Sequence, residues 1–313
     1  MKPFISICIP AFKRVAYLKR LLDSISIQSY RDFEVIITDD SSDGSVADLI
    51  PFYQKEFPLI YKKNKEPLGS PENWNEALRK ATGQWVKLMH DDDWFAGAES
   101  LSEFADAINK NPASSFFYCA YMNVFEGTHK QTTVYINSFR KRKLRQNPET
   151  LFSKNVIGPP SVTLVRNDKK IWYDNKTKWV VDIDFYIRYL KNNSPFYINK
   201  VLIRVGINAE QVTKSTFRVV SVEIPENFYL LEKGVIKNIK DILIYDACWR
   251  MIRNLRITSL AKIRESGYDG SIHFVVISMI NWQSKIPLQI LKTGFLSKLI
   301  MFIHYLTHLR FLK

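Results

Sequence analysis

The chain has 313 residues, 46% of them apolar and 13% aromatic, which is enough to bury a large core in one domain or two smaller ones. Its three cysteines, Cys8, Cys119 and Cys248, are isolated, so the pattern excludes a disulfide framework or a CxxC pair. The formal net charge of +14 favours a negatively charged partner, such as nucleic acid, anionic lipid or a phosphorylated substrate.

The first ~110 residues alternate strand and helix patterns at short spacing. Compact apolar runs predict strands at residues 4–9, 33–37, 59–62 and 84–89. Apolar residues at helical spacing predict helices between them, at residues 15–26, 45–53 and 71–81. The resulting βαβαβαβ order predicts a parallel sheet with helices on both faces.

The middle of the chain predicts further elements of both kinds. We expect helices at residues 99–110 and 181–190, and strands at 114–137, 162–165 and 197–205. The basic run 140–145 is predicted as a loop or a helix start. From about residue 215 the pattern is helical almost throughout. We therefore predict an α/β domain over residues 1–214 and a helical region over residues 215–313.

Two acidic clusters follow predicted strands. Asp39 and Asp40 end the second strand, and Asp91, Asp92 and Asp93 end the fourth. Ligands of parallel α/β sheets bind outside the carboxyl ends of the strands. Buried carboxylates repel each other, and a cation that neutralises them removes that cost. Oxygen ligands suit Mg²⁺ or Mn²⁺, which predicts a metal–nucleotide site at this edge.

Several segments together resemble the inverting GT-A glycosyltransferases of family 2. The resemblance lies in Ser6-Ile7-Cys8-Ile9-Pro10-Ala11-Phe12-Lys13-Arg14, in residues 28–45 around Asp39-Asp40, in the spacing of Gly69, Asn75, Ala81 and Gly83, and in Asp91-Asp92-Asp93. It is specific over residues 4–100 and weaker to about 214. It implies a GT-A, Rossmann-like sheet and a sugar transferase that uses Mn²⁺ or Mg²⁺.

The resemblance also implies residue roles in donor binding. Pro10, Ala11 and Phe12 would line the base pocket, and Asp40 would accept a hydrogen bond from a uracil or thymine. Asn75 would also contact the nucleotide. Asp92 would contact the ribose or the metal, and Asp93 would bind the cation that bridges the diphosphate. Asp91 is a second predicted metal ligand.

Inversion needs a general base that takes the proton from the acceptor hydroxyl. Residues 180–188 resemble the acidic motif of the family at a helix start, and Asp182 aligns with the base. Asp184 would lie about 200° around the helix, so both cannot face one substrate atom. We expect Asp184 to cap the helix or to pair with Arg188.

Three further residues are candidates for diphosphate or acceptor contacts. Asn208 and Gln211 lie in a late loop where some family members place a metal-binding histidine, which this chain lacks, so the third metal ligand stays open. Ser161 follows a Gly-Pro-Pro turn that we interpret as a rigid turn or an acceptor loop. We interpret His90, where many members have aspartate, as a structural neighbour of the acidic cluster.

The sequence leaves the C-terminal segment 288–312 open between a packed core helix and a helix at an anionic membrane surface. No signal peptide pattern is present at the start, and no apolar stretch reaches the ~18 residues of a spanning helix. We therefore predict a cytoplasmic protein, peripheral on the inner face of the membrane if the tail binds lipid.

The predicted function is inverting transfer of a sugar from a nucleotide-diphosphate donor, with UDP-sugar favoured, to a glycan or lipid-linked glycan acceptor. The setting would be bacterial surface polysaccharide assembly. A metal-dependent nucleotidyltransferase is the alternative enzyme, but residues 10–14 lack the glycine of a phosphate loop. A nucleic-acid-binding protein is the alternative binding protein, but this chain places carboxylates at its strand ends, and we predict no nucleic acid partner.

Overall fold

The computed structural model describes residues 3–208 and 219–311. Chain contacts divide the protein into two compact units. The first comprises Met1–Arg145, Val156–Asn175 and Phe185–Gln211, and the second comprises Gln146–Asn155, Lys176–Asp184 and Val212–Lys313. The predicted boundary at residue 214 lies outside the described residues, so a division at that point stays a prediction.

The first unit is built on one nine-stranded sheet. Its strands are β1 (Ile5–Ala11), β2 (Phe33–Asp39), β3 (Leu59–Lys63), β4 (Trp85–Leu88), β5 (Trp94–Phe95), β6 (Phe116–Phe125), β7 (Gln131–Val134), β8 (Thr163–Arg166) and β9 (Pro195–Ile207). They lie in the order β3-β2-β1-β4-β8-β6-β9-β5, and β7 pairs with β6.

The first four strands in chain order form the parallel part of the sheet, as predicted. All seven residues of β1 and of β2 are buried, which is typical of parallel strands covered on both faces. Strand β8 enters antiparallel between β4 and β6, and β9 runs parallel to β6. The predicted GT-A, Rossmann-like fold with C-terminal helices is confirmed.

The α-helices of the described chain follow the predicted order. They are α1 (Val15–Ser26), α2 (Ile50–Tyr53), α3 (Glu72–Lys80), α4 (Ser100–Lys110), α5 (Ser138–Gln146), α6 (Val181–Leu190), α7 (Val220–Glu232), α8 (Ile242–Asn254), α9 (Leu260–Glu265), α10 (Phe274–Gln283), α11 (Leu288–Lys292) and α12 (Gly294–His308).

Local physics explains where the predictions hold and where they differ. Helix α1 has the predicted bounds because its leucines and Ile25 repeat at helical spacing and are buried. The predicted helix at 45–53 is a 3₁₀ turn over Ala47–Leu49 that continues into α2. The basic run is part of helix α5, whose one buried residue is Leu144, so the run carries almost no apolar periodicity.

The parallel register places the carboxyl ends of β1, β2 and β4 at one edge of the sheet. Ala11 pairs with Asp39, and Cys8 pairs with Leu88. The turns that follow these strands, which contain residues 12–14, 40 and 89–93, therefore emerge side by side. This edge gathers the charged residues of the candidate site.

The second unit is helical, with α8 packed against α10 and α12 around buried Tyr245 and Trp249. A buried carboxylate, that of Glu226 on α7, accepts hydrogen bonds from the backbone N–H groups of Lys178, Trp179 and Val180 at 2.7–3.1 Å. These three residues directly precede α6, so Glu226 fixes the segment that leads into that helix. Within residues 3–208 and 219–311, no helix combines the length and the apolar content that crossing a bilayer requires.

Candidate functional site

The turn after β4 brings His90, Asp92 and Asp93 together. One ligand atom from each of these side chains lies within 4.8 Å of the others. Both aspartates are buried, and His90 is half-buried. One imidazole and two carboxylates around a single point form a donor set that a divalent cation can bind.

Arg14, the residue before α1, neutralises part of the acidic cluster. Its Nε donates to Asp91 Oδ2 at 3.1 Å and its Nη2 to Asp91 Oδ1, which makes a two-point pair. Its Nη1 donates to Asp92 Oδ2 at 3.0 Å. Both oxygens of Asp91 are therefore engaged by the guanidinium. The predicted role of Asp91 as a metal ligand stays a prediction, and the geometry instead gives it a bond to Arg14.

Residues at the end of β9 donate hydrogen bonds to Asp92 and Asp93. The Gly206 N–H donates to Asp93 Oδ1 at 3.1 Å, and Asn208 Nδ2 donates to Asp92 Oδ2 at 3.1 Å. Gly206 lies so close to the turn that an added Cβ would come within 2.4 Å of the Asp92 carbonyl oxygen. Only glycine permits this approach, which makes β9 a wall of the site.

His90 is fixed in place by its neighbours. Its backbone N–H donates to Ser161 Oγ at 2.9 Å, and its ring centroid lies 4.7 Å from that of Trp74. Burial lowers the pKa of His90 to about 4, so the ring is neutral near pH 7. Its Nε2 is buried and has no hydrogen-bond partner among the described residues. A neutral imidazole with an unused buried nitrogen fits a metal ligand.

Burial also acts on the carboxyl groups of the cluster. It raises the pKa of Asp91 to about 7, with Arg14 acting in the opposite direction. Burial and the adjacent charge of Asp92 raise the pKa of Asp93 well above its usual value. Both shifts mean that the ionised form of these buried carboxyl groups is unfavourable in the absence of a further positive charge. A divalent cation fits this site because it supplies the missing positive charge.

The predicted base-pocket residues lie at the end of β1 and β2. Pro10 and Ala11 are buried in the sheet, while the Phe12 side chain is 50% exposed. Asp40 accepts hydrogen bonds from Asn64 Nδ2 at 2.7 Å and from the backbone N–H groups of Leu68 and Gly69 at 3.0 and 2.8 Å. Asp40 therefore holds the loop before α3, in addition to any contact with a base.

Asn75 and Ser161 have backbone partners in the same unit. Asn75 Nδ2 donates to the Tyr173 carbonyl, and the Tyr173 N–H donates back to Asn75 Oδ1, both at 2.9 Å. Ser161 uses its hydroxyl to hold His90, as described above, and its carbonyl accepts from buried Lys87. Gln211 lies outside the described residues. The predicted ligand roles of Asn75, Ser161, Asn208 and Gln211 stay predictions.

Asp182 lies in the first turn of α6, within the second unit. Its Oδ2 accepts a hydrogen bond from Asn155 Nδ2 at 2.7 Å, and its Oδ1 accepts one from the Ile183 N–H at 2.8 Å. Burial raises the pKa of Asp182 to about 6, while these two donors lower it. The neighbouring Asp184 is buried and pairs with Lys233 Nζ at 2.6 Å. The two carboxylates therefore have different partners. The pairing of Asp184 with Arg188 stays a prediction, and Arg188 Nη2 donates to the Trp172 carbonyl at 2.7 Å.

Two residues of this site had no functional role in the sequence interpretation. Arg14 stands in the turn after β1, but its bonds to Asp91 and Asp92 join positions 77 and 78 residues apart. His90 stands directly before the three aspartates, and that position was the one signal of its role. The role of Arg14 does not follow from local pattern, because it depends on β1 and β4 being neighbours in the sheet.

The comparisons with known proteins decide the family. The sequence pattern of Glycosyl transferase family 2 matches residues 6–172, more than half of the chain. The chain belongs to Glycosyl transferase family 2. The matched range contains all but the first residue of β1, the acidic turn after β4 and the Ser161 turn, whereas Asp182, Gly206 and Asn208 lie beyond it.

Relatives of this glycosyltransferase agree with that assignment. An uncharacterized glycosyltransferase of Haemophilus influenzae is 26% identical over 220 residues, covering 68% of this chain and 71% of the relative. The GalNAc(5)-diNAcBac-PP-undecaprenol beta-1,3-glucosyltransferase of Campylobacter jejuni is 30% identical over 119 residues, covering 37% and 38%.

A solved structure shares the fold of this glycosyltransferase. The structure of S. aureus TarS 1–349 in complex with UDP-GlcNAc superposes with a TM-score of 0.57 at 17% identity, covering 92% of this chain and 93% of that one. This chain covers 50% of a longer TarS chain. At this identity, the likeness shows a common fold.

Proposed function

We propose that this family 2 glycosyltransferase moves a sugar from a UDP-sugar to an acceptor hydroxyl with inversion, in the assembly of a bacterial surface polysaccharide or lipid-linked glycan. The observation that carries the proposal is the His90, Asp92 and Asp93 cluster at the carboxyl edge of the parallel strands. A cluster of this kind holds a cation where the diphosphate of a donor would lie.

The proposed cation ligands are His90, Asp92 and Asp93, with Mn²⁺ favoured over Mg²⁺. Carboxylates alone suit both ions, whereas an imidazole nitrogen suits Mn²⁺ better than the strictly oxygen-seeking Mg²⁺. This revises the sequence interpretation, in which His90 was a neighbour of the ligands and Asp91 was one of them. When bound, the cation would neutralise charge on the leaving diphosphate.

The residues of the chain have separate roles in this proposal. Arg14 holds Asp91 and one oxygen of Asp92, and thereby orients the acidic turn. Asp182 would accept the proton of the acceptor hydroxyl while that oxygen bonds to the anomeric carbon and the bond to the diphosphate breaks. A pKa of about 6 leaves most Asp182 side chains ionised, and so able to accept a proton, near pH 7.

Different observations support the proposed donor class and the proposed acceptor class. Asp40, predicted to meet the N–H of a uracil, is buried at the end of β2, and TarS, which shares the fold, was solved with UDP-GlcNAc. The Campylobacter relative is named for an undecaprenol-linked acceptor, which supports a lipid-linked glycan. The shared feature of these acceptors is a sugar hydroxyl.

A thermal-shift screen tests the donor class. A ligand that binds only the folded state adds about 2.7 kcal/mol to the unfolding free energy at 100 times its Kd. We expect UDP with Mn²⁺ to raise the melting temperature, and UDP with EDTA to leave it unchanged. A larger rise with GDP, CDP or dTDP would overturn the assignment of UDP. Equal shifts with and without Mn²⁺ would overturn the cation site.

His90→Asp tests the ion preference. The change replaces the imidazole with a third carboxylate, so we expect the ratio of Mn²⁺ to Mg²⁺ affinity to fall by about tenfold, with transfer supported more evenly by the two ions. Calorimetric titration of each ion in the presence of UDP measures the ratio. The exposed His129 offers a matched control, and His129→Asp should keep the wild-type preference. An unchanged ratio in His90→Asp would remove His90 from the ligand set.

Gly206→Ala tests whether the approach of β9 positions the acidic turn. The new Cβ would meet the Asp92 carbonyl at 2.4 Å, so the turn must shift. Displacement of catalytic groups by about 1 Å costs roughly a hundredfold in rate. We expect transfer to fall to that extent and Mn²⁺ affinity to fall with it. Gly97→Ala is the control, since no atom lies within 4 Å of its Cβ position. Wild-type activity in Gly206→Ala would contradict a tight contact at this point.

A further inference from the structure

Helix α12 presents an apolar face to the surface. It buries Ser297, Met301 and His304 on one side. On the other side, four large side chains at spacings of three and four residues are exposed, and these are Phe295, Leu299, Phe302 and Leu306. Phe295 is 77% exposed. Surface helices normally turn polar residues outward, so this apolar stripe, with Leu296 and Ile303 beside it, indicates a surface that is covered in use.

Polar contacts fix which side of α12 faces inward. The buried His304 ring joins Tyr245 Oη at 2.6 Å through Nδ1 and Ser278 Oγ at 3.0 Å through Nε2. Ser278 Oγ also lies 2.9 Å from His308 Nε2, one turn further along the helix. Rotation of the helix to bury its apolar stripe would leave these polar atoms without partners. The outward stripe is therefore a stable feature of the second unit.

A basic pocket opens at the start of the stripe. It has a volume of about 420 Å³, and Arg250, Arg253, Lys298 and Phe295 line it. Asp246 also lines the pocket and pairs with Arg250 at 2.8 Å, so these two charges offset each other. Arg253 donates to Ser297 Oγ at 3.1 Å, and neither it nor Lys298 pairs with a carboxylate among the described residues. The pocket therefore has two uncompensated positive charges beside an exposed phenyl ring.

The surrounding sequence has the same sign of charge. Residues 270–313 contain five lysines and arginines and no aspartate or glutamate. A second copy of the chain packed on this face would bring like charges together, which disfavours self-association. An anionic phospholipid surface matches both properties, since it offers phosphates to the cations and hydrocarbon to the aromatic and aliphatic side chains.

We propose that the outer face of α12 docks on an anionic phospholipid bilayer, with a lipid phosphate in the pocket of Arg253 and Lys298 and with Phe295, Leu299, Phe302 and Leu306 inserted at the interface. This site goes beyond sugar transfer and does not depend on the donor or the acceptor. It belongs to the second unit, whereas the residues proposed for cation and donor binding belong to the first.

Vesicle co-sedimentation of the 313-residue chain tests the proposal. We expect binding to vesicles of phosphatidylglycerol and phosphatidylcholine, and at least tenfold weaker binding to phosphatidylcholine alone. Arg253→Gln with Lys298→Gln should weaken binding by about fivefold for each charge removed. Phe295→Ser with Phe302→Ser should weaken it by at least tenfold, because the insertion of apolar area is lost. Both variants change exposed or half-exposed positions, and their melting temperatures confirm folding.

Matched controls use exposed side chains of the first unit. Phe52 is 72% exposed, and the Lys110 side chain is 76% exposed. Phe52→Ser and Lys110→Gln should keep wild-type binding. Equal binding of wild type to neutral and anionic vesicles would overturn the phosphate assignment. Absence of vesicle binding, together with a dimer in light scattering that Phe295→Ser/Phe302→Ser dissociates, would overturn the lipid and identify a second copy as the occupant.

Discussion

Asp93→Asn is expected to abolish the cation-dependent binding of a nucleotide diphosphate and to lower sugar transfer by roughly 10³-fold, which corresponds to about 4 kcal/mol of transition-state stabilisation. Asp93 is buried, and its carboxylate is one of the three groups that converge on the proposed cation position. An amide oxygen lacks the charge needed to hold the ion. Titration of Mn²⁺ with UDP measures the first effect, and a transfer assay at saturating donor measures the second.

The same change should act in the opposite direction on the stability of the cation-free protein. It removes one buried negative charge from a cluster that repels itself, and the asparagine Oδ1 can still accept the hydrogen bond from Gly206. We expect the unfolding free energy without cation to rise by about 1 kcal/mol. Gain of stability with loss of function is the signature of a ligand site. Replacement of a residue with a purely structural role would lower the unfolding free energy instead.

An exposed aspartate provides the control for Asp93. The Asp106 side chain is 63% exposed on α4 and pairs only loosely with Lys110, at 3.7 Å. Asp106→Asn should change neither the response to Mn²⁺ nor the melting temperature. If Asp93→Asn keeps a wild-type rise in melting temperature with UDP and Mn²⁺, Asp93 is not a ligand of the cation.

Asp182→Asn is expected to keep donor binding and to lose transfer. The loss should be about 10²- to 10⁴-fold, the usual contribution of a positioned general base. Asparagine is nearly the same shape and can still accept from the Ile183 N–H, but it cannot take a proton from the acceptor hydroxyl. Thermal shift with UDP and Mn²⁺ measures donor binding, and the single-turnover rate measures transfer.

The pH profile gives an independent readout of the same role. Burial raises the pKa of Asp182 to about 6, and a general base works only in its ionised form. The rate should therefore be constant above about pH 7 and fall tenfold for each pH unit below about 6. The residual rate of Asp182→Asn should lack this fall.

The variant Asp184→Asn separates a loss of catalysis from a loss of stability in helix α6. It lies two residues further along α6 and pairs with Lys233 rather than with Asn155. Asp184→Asn should lower the melting temperature, because a buried ion pair loses one charge, yet it should keep the transfer rate within a few fold. A wild-type rate in Asp182→Asn, or an equal loss in both variants, would contradict the base assignment.

The parallel half of the fold could be predicted because each element carries its own signal. Strands β1 and β2 are short, mostly apolar runs, and α1 repeats leucines at helical spacing. Strand β5 has two residues, too few for a pattern, and it exists because it pairs with β9. Helix α5 is rich in lysine and arginine, and its periodicity is nearly absent.

The candidate site, too, was predictable only in part from the sequence. The acidic turn after β4 was predictable because three aspartates directly follow an apolar run that reads as a buried strand. The engagement of Asp91 by Arg14 was not, since it requires β1 and β4 to be neighbours in the sheet. The setting of His90 was not predictable either, since Trp74 packs against its ring and Ser161 holds its backbone N–H from distant positions in the sequence.

The three backbone hydrogen bonds to Glu226 bear on any attempt to build hybrid enzymes. Glu226 lies beyond residue 214, yet it binds the backbone of residues 178–180, the segment that leads to Asp182. A fragment ending at the predicted boundary would lose this anchor and its three hydrogen bonds. Chimeras that exchange donor specificity between relatives should therefore take residues 176–184 and helix α7, which contains Glu226, from the same parent protein.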